Sequence, residues 1–318
     1  MKIVILEGNA VNPGDLSWDC LNAFGEVTVY ARTAPDEAAA RIGDAEIVLI
    51  NKTPITAELL DACPSVRLIC VQATGYNVVD CEAAKKRGVV VCNVPSYSTN
   101  SVSQFTFSLL LELCNRVGLH DMGVHDGKWC ASTDFCYWET PQMELYGKTI
   151  GIIGFGQIGR AVGKIARAFG MHVLAYNRSR CAEGEAIGEY VSLDTLLAQS
   201  DIVSLHCPLT EQTSNIINKQ TLSQMKDGAI LLNTARGPLL NEHDVADALA
   251  CGKLRGAAVD VVSFEPMRAD NPLLCAPNCI ITPHMAWSPI EARQRIIDIT
   301  AQNIRLYLDK KPINVVNP

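Results

Sequence analysis

The sequence predicts an α/β protein built from two doubly wound parallel-sheet domains, and three observations carry that prediction. Short apolar runs alternate with helical patterns along most of the 318 residues, which implies parallel strands covered by helices. One stretch, KTIGIIGFGQIGRAVGKIARAFGMHVLAYNRSR at 148–180, holds a strand, a glycine-rich turn, a helix and a second strand. It begins only after a long series of other strands and helices, so another unit must precede it.

Length and composition support two domains of ordinary size. Hydrophobic residues make up 48% and charged residues 19%, a globular balance with ample core. The net charge of −7 argues against nucleic acid or an anionic membrane surface as partners. The thirteen cysteines include no Cys-x-x-Cys pair, and many sit in apolar runs such as Leu68-Ile69-Cys70-Val71. That usage fits a reducing compartment, and no metal is expected. Lys2-Ile3-Val4-Ile5-Leu6 reads directly as a strand, so no signal peptide is expected, and no apolar run reaches membrane-spanning length. A cytoplasmic location is expected.

In the first unit, strands are expected at 3–6, 27–30, 47–50, 67–71 and 89–92, with helices at 38–42, 57–62 and 79–87 between them. Thr74-Gly75-Tyr76-Asn77 follows the fourth strand, at the carboxyl end of an open parallel sheet where ligands bind; a simple turn is the alternative. A long helix is expected from about Ser98 to Val117, with Phe105, Leu109, Leu113 and Val117 spaced in fours. Residues 118–144 lose periodicity and gather Trp129, Phe135, Tyr137 and Trp138. A long aromatic loop of this kind reads as a subunit contact, with internal packing as the alternative.

In the second unit, the apolar run Thr149–Ile153 enters Gly154-Phe155-Gly156-Gln157-Ile158-Gly159, and Gly170 ends the helix that follows. Gly154 permits the tight turn, Gly156 lets the backbone approach a pyrophosphate, and Gly159 lets the helix pack closely on the strand. The helix N-terminus supplies free N–H groups and positive dipole for phosphates. This is a dinucleotide site on a Rossmann domain. An acidic residue is expected about 20 residues past such a turn to hold the ribose hydroxyls of NAD. Here the strand ends in Asn177-Arg178-Ser179-Arg180, with no carboxylate until Glu183. Two guanidinium groups and a serine suit a 2′-phosphate, so NADP is favoured, with NAD still open.

Further strands are expected at 202–205, 229–233, 256–261 and 279–282, with helices at 193–199, 219–225 and 242–250. The last stretch, 289–308, reads as a helix that returns to brace the first unit. Three strand exits carry polar residues an ordinary sheet would not require: Asn233-Thr234-Ala235-Arg236-Gly237, Asp260 with Ser263-Phe264-Glu265-Pro266, and Pro283-His284. All should emerge at the carboxyl edge, beside the nicotinamide. Hydride transfer to a ketone needs a proton donor, and an imidazolium suits it at its ordinary pKa of about 6.5. A neighbouring carboxylate keeps the imidazole charged and oriented. A guanidinium holds the carboxylate of a 2-keto acid and polarises its ketone.

At these residues the chain resembles the D-isomer-specific 2-hydroxyacid dehydrogenases. GFGQIG at 154–159, HCPLT at 206–210, NTARG at 233–237, AVDVVSFEP at 258–266 and TPH at 282–284 carry the resemblance in the family's order, over nearly the whole chain. It implies a flavodoxin-like substrate-binding domain in two pieces, 1–100 and 285–318, clasping a dinucleotide-binding domain at 101–284, and a homodimer joined through the latter. It further implies that Arg236 binds substrate, that Glu265 orients and charges His284, and that His284 is the acid/base. Backbone N–H groups around Thr74 and Gly75 would meet the substrate carboxylate. Cys207, Pro208, Thr213, Thr234, Ala235 and Asp260 would line the cofactor, with Val102 behind the nicotinamide. ATGYNVVD at 73–80, NVPSYSTNSV at 93–102 and TPHMAW at 282–287 are similar to the glycerate dehydrogenases, also called hydroxypyruvate reductases. Trp287 would then shape a pocket for a small polar acid. Asn177, where NAD-using members generally place Asp, departs from that pattern. Two other functions fit the same motifs: an enzyme for a bulkier keto acid, and a non-catalytic NAD(H)-sensing corepressor-like protein.

Overall fold

A computed structural model describes residues 1–318 and divides into two compact units, Met1–Ser98 with Trp287–Pro318, and Thr99–Ala286. These divisions, after Ser98 and Ala286, lie two residues from the expected ones after residues 100 and 284.

The first unit is a five-stranded parallel sheet. Its strands are β1 (Lys2–Ile5), β2 (Glu26–Val29), β3 (Ile47–Ile50), β4 (Leu68–Val71) and β5 (Val90–Cys92), in the order β2-β1-β3-β4-β5. This is the flavodoxin-like doubly wound order. Strand alternation sends Val4, Val48, Ile50, Ile69 and Val71 to one face, packed on the short helices at 38–42, 57–62 and 81–86. Ile3, Ile5, Leu49, Leu68 and Cys70 go to the other face. There the C-terminal helix Ile290–Leu308 covers them, burying Ile296, Thr300, Asn303 and Ile304. Burying both faces explains why these strands read as unbroken apolar runs rather than alternating ones. The C-terminal helix is fastened by Arg293, whose guanidinium donates to both oxygens of Asp15 at 2.7 and 2.6 Å and to the carbonyl of Val11 at 3.0 Å.

The second unit is a seven-stranded parallel sheet. It comprises β6 (Thr149–Ile153), β7 (His172–Tyr176), β8 (Glu189–Tyr190), β9 (Ile202–Leu205), β10 (Ala229–Asn233), β11 (Leu254–Val259) and β12 (Cys279–Ile281), in the order β12-β11-β10-β9-β6-β7-β8. The chain starts in the middle, winds outward through β7 and β8, then crosses back beside β6 to continue through β9. That reversal between β6 and β9 is the switch point at which a Rossmann sheet opens a crevice. The helix Thr99–Asn115 packs across one face with Leu109, Leu110 and Leu113 buried.

The structure corrects the reading of two segments. The expected fours pattern runs one turn too far, because the helix ends at Asn115 and Arg116 takes a left-handed φ of 50°, leaving Val117 exposed. Residues 118–144 are not all loop: Val117–His125 is a further helix. Gly118 and Gly123 dilute its pattern, and both are weak helix formers. At Gly123 a Cβ would lie 2.8 Å from the hydroxyl of Tyr137, so any larger residue would push that ring aside.

Candidate functional site

The glycine turn is built as its sequence requires, with a different reason at each glycine. Gly154 takes φ +94°, and a Cβ on it would sit 2.3 Å from the amide nitrogen of Cys207. A Cβ on Gly159 would meet the carbonyl oxygen of Gly154 at 2.2 Å. Gly156 differs: its Cβ would meet no protein atom within 4 Å. It caps the helix Gln157–Ala168 and faces open ground at the helix N-terminus, where backbone N–H groups point outward. A pyrophosphate needs that room and those donors, so the turn fits a dinucleotide. Phe155, between the glycines, turns its ring into the core, edge-on to Tyr190 at 5.7 Å. Only its backbone remains for a ligand. Ile158 also packs on the core, whereas Gln157 is exposed.

The end of β7 lies beside this turn, since Asn177 Oδ1 accepts the Phe155 amide at 3.2 Å. The Asn177 amide donates in turn to the Ser179 carbonyl at 2.8 Å. Arg178 and Ser179 are exposed, while the Arg180 guanidinium lies 5.7 Å over the Tyr190 ring. Glu183, the first carboxylate after Asn177, is bound by Arg160 at 3.1 Å and Lys164 at 3.0 Å. These cations hold its carboxyl below the usual range. No free carboxylate therefore stands in the loop after β7.

At β9 the chain exits through His206-Cys207-Pro208. Cys207 is buried against Gly154, and Thr213 Oγ1 donates to the Pro208 carbonyl at 2.7 Å. His206 Nε2 meets Ser204 Oγ at 2.8 Å, and burial pushes its imidazole down to about 3. At β10, Thr234 Oγ1 lies 3.0 Å from Thr106 Oγ1, which donates to the carbonyl of Val102 at 2.8 Å. Val102 and Thr234 are thus one hydroxyl apart. Ala235 is half-buried against the core, and Arg236 is exposed.

The exits of β10, β11 and β12 are adjacent in the sheet, and those of β11 and β12 bring Glu265 and His284 together. Gly237, next to Arg236, lets the backbones touch: a Cβ there would sit 1.9 Å from the carbonyl carbon of Val262. Three residues beyond Val262, Glu265 Oε2 pairs with His284 Nδ1 at 2.7 Å, and Oε1 accepts the Val262 amide at 3.3 Å. The histidine is half-buried and the glutamate reaches solvent. With Nδ1 committed to the carboxylate, Nε2 is the nitrogen left to exchange a proton.

His284 stands at φ +52°, a backbone state costly for a residue with a Cβ. Asp260 holds it there. The Asp260 carbonyl accepts the His284 amide at 2.8 Å. Its buried carboxylate accepts Thr282 Oγ1 at 2.6 Å and the amides of Met285 and Ala286 at 2.9 and 2.8 Å. The sequence reading placed Asp260 along the cofactor; in the structure its carboxylate is engaged with the segment that presents His284. A second brace was not foreseen. Glu242 accepts the Ser263 amide at 2.7 Å and the Asn271 side-chain amide at 2.9 Å, steadying the loop that carries Glu265. Its only sequence signal is a carboxylate at a helix start, which a capping role explains equally well.

Thr74, Gly75 and Trp287 belong to the first unit. Thr74 Oγ1 donates to the Val94 carbonyl at 3.0 Å, and the Asn93 side-chain amide donates to the Thr74 carbonyl at 2.8 Å. The amides of Thr74, Gly75, Tyr76 and Asn77 donate to no protein acceptor. A fixed loop with unsatisfied amides suits an anion. Trp287 packs edge-on to Tyr97 at 6.4 Å.

Comparison with known proteins agrees with this geometry. Residues 107–286 match the family described as D-isomer specific 2-hydroxyacid dehydrogenase, NAD binding domain. A hydroxypyruvate reductase of Blautia hydrogenotrophica is 52% identical, with 100% of each chain covered. A glycerate dehydrogenase of Methylorubrum extorquens is 41% identical over 99% of this chain and 98% of its own. Among solved structures, a D-lactate dehydrogenase with NAD+ from Lactobacillus jensenii superposes with a TM-score of 0.84 at 27% identity, covering 99% of both chains. The two parallel sheets, the nicotinamide-nucleotide turn and the Glu265–His284 pair therefore have one common explanation: this chain belongs to the D-isomer specific 2-hydroxyacid dehydrogenases.

Proposed function

We propose that the protein reduces small 2-keto acids, hydroxypyruvate and glyoxylate foremost, to D-glycerate and glycolate. The observation that carries this reading is the 2.7 Å contact between Glu265 Oε2 and His284 Nδ1, which leaves Nε2 to serve the substrate. When bound, NAD(P)H supplies the hydride to C2 of the keto acid. His284 gives its Nε2 proton to the carbonyl oxygen, so the C2 carbonyl becomes a hydroxyl. Glu265 fixes the ring through its 2.7 Å contact with Nδ1 and so holds Nε2 as the nitrogen that serves the substrate. Arg236 holds the substrate carboxylate and draws charge toward the carbonyl oxygen. The unsatisfied amides at Thr74-Gly75 suit a carboxylate in their own right. The full-length relatives named for hydroxypyruvate and glycerate support this substrate class over a bulkier one.

NADP is preferred over NAD in this reading. Asn177 replaces the acidic residue, Glu183 is bound elsewhere, and Arg178 stands exposed. A cytoplasmic homodimer is also proposed, with Phe135, Trp138 and Tyr146, all exposed, on the contact surface. No helix is long and apolar enough to cross a membrane.

The test is spectrophotometric: oxidation of NADPH and NADH with hydroxypyruvate, glyoxylate and phenylpyruvate. Hydroxypyruvate should give the highest kcat/KM. A preference for phenylpyruvate would indicate the bulkier-substrate enzyme, and cofactor binding without turnover of any keto acid would indicate a sensor. His284→Asn should lower kcat by about 10²–10⁴-fold while leaving cofactor affinity nearly unchanged. Unchanged turnover would sink the assignment.

A further inference from the structure

The first unit has a concavity at the amino-terminal edge of its sheet, the edge opposite the Thr74-Gly75 loop. It is open to solvent, spans about 400 Å³, and is lined by Met1, Glu46, Arg67, Tyr307, Leu308, Lys310 and Pro312. That volume lies within the roughly 300–1,000 Å³ common for small-molecule sites. Glu46 immediately precedes β3 and Arg67 immediately precedes β4. The Arg67 amide donates to the Glu46 carbonyl at 2.8 Å. Their side chains are of opposite charge and line the same cavity, yet no ion pair forms between them.

Each retains bonding capacity. The Arg67 Nη1 donates to the carbonyls of Pro64 and Val66 at 2.6 and 3.0 Å, whereas its Nε and Nη2 have no protein acceptor. Glu46 Oε2 accepts only the Lys2 amide, at a long 3.3 Å, and Oε1 accepts nothing. The Tyr307 ring packs on the core of the unit. Its phenol is pushed up chiefly by burial, with Arg67 opposing and Glu46 adding to the shift, so both charges reach the hydroxyl. Leu308 and Pro312 extend the apolar wall, and Lys310 adds a cation with no ion-pair partner.

We propose that this cavity binds a zwitterionic α-amino acid and that its occupant modulates substrate affinity. Arg67 and Lys310 take the carboxylate, Glu46 takes the ammonium, and the ligand side chain lies on Tyr307, Leu308 and Pro312. A simple anion would leave Glu46 repelled, and a simple cation would leave Arg67 and Lys310 so. Two elements link this cavity to the far edge of the unit. Strand β4 (Leu68–Val71) leads from just after Arg67 toward the loop at Thr74-Gly75, and the C-terminal helix Ile290–Leu308 leads from just after Trp287 to Tyr307 and Leu308.

Calorimetric titration of the full chain, with neither substrate nor cofactor present, tests binding apart from the catalytic assignment. The probes are L-leucine and 4-methylpentanoate, which lacks the ammonium group. Leucine should bind with a Kd of about 1 mM, and 4-methylpentanoate about tenfold more weakly. Arg67→Ala and Glu46→Gln should each weaken leucine about tenfold, and the second variant is mild enough to fold if the first is not. Absence of binding up to about 20 mM leucine, equal binding of both probes, or leucine binding undiminished in the folded variants would overturn the proposal. Saturating leucine should shift KM for hydroxypyruvate by about twofold or more in the wild type and not in Glu46→Gln. A KM that does not move overturns the modulation.

Discussion

Asp260 accepts the amide of His284 on its backbone carbonyl at 2.8 Å, and its carboxylate takes up Thr282 Oγ1 and the amides of Met285 and Ala286. A carboxylate buried at the end of β11 thus shapes the turn after β12. Asp260→Asn replaces one acceptor oxygen with a donor that must face either an amide N–H or a hydroxyl. Such a mismatch costs about 1–3 kcal/mol, and the turn has an alternative in relaxing the φ of His284. The variant should melt lower and lose about tenfold or more in kcat through misplacement of the imidazole. Thermal unfolding together with steady-state kinetics checks this, and a kcat equal to wild type would refute it.

The glycine turn predicts two opposite phenotypes from the same substitution. Gly159→Ala puts a methyl 2.2 Å from the Gly154 carbonyl oxygen, a backbone atom that cannot swing aside. It should lower Tm. Gly156→Ala meets no protein atom, and its φ of −74° suits alanine. Its fold should be intact while cofactor affinity falls by about tenfold or more, because the methyl occupies the ground where a pyrophosphate approaches. Circular dichroism melts and fluorescence titration with NADPH separate the two. If Gly156→Ala bound cofactor normally, the pyrophosphate would lie elsewhere.

This turn was legible in the sequence because its glycines answer to local geometry: two strands, one helix and one tight turn are contiguous in the chain. The exits at Arg236, Glu265 and His284 were legible for a related reason, since parallel strands all deliver their carboxyl ends to one edge. The bracing role of Asp260 was not. It depends on β11 and β12 being neighbours, and the sequence order of the strands does not by itself make them so. The helix Val117–His125 was hidden because Gly118 and Gly123 suppress its propensity, and contacts such as His120 Nε2 with the Glu139 amide at 3.0 Å are non-local. The cavity beside Arg67 was equally invisible, being assembled from three strand starts and the end of a helix.

His206 gives the fold an acid sensitivity of its own. Burial lowers its imidazole from an ordinary value of about 6.5 to about 3 in the folded state. The folded form therefore resists a proton that the unfolded form accepts. Stability is fully present above about pH 6.5 and declines as the pH falls toward 3, by at most about 1.4 kcal/mol per pH unit. His206→Gln can still meet Ser204 without taking a proton. Between pH 6.5 and 5, above the range where carboxylates titrate, the variant should show a flatter dependence of urea midpoint on pH than the wild type. Parallel profiles would show that His206 is not the group responsible.

The proposed preference for NADP rests on the loop after β7. Arg180 is drawn over the Tyr190 ring, whereas Arg178 is exposed and has no protein partner. Of the two guanidinium groups, Arg178 is the one free to meet a 2′-phosphate. A charge-assisted hydrogen bond contributes about 1.5–3 kcal/mol, so Arg178→Ala should weaken NADPH by roughly 10- to 100-fold. NADH, with a hydroxyl at that position, should be nearly unaffected. Arg180→Ala should do less to NADPH and more to the packing of Tyr190 on Phe155. Dissociation constants for both cofactors with both variants decide the matter. Equal losses for NADPH and NADH in Arg178→Ala would mean that the arginine supports the loop and does not read the phosphate.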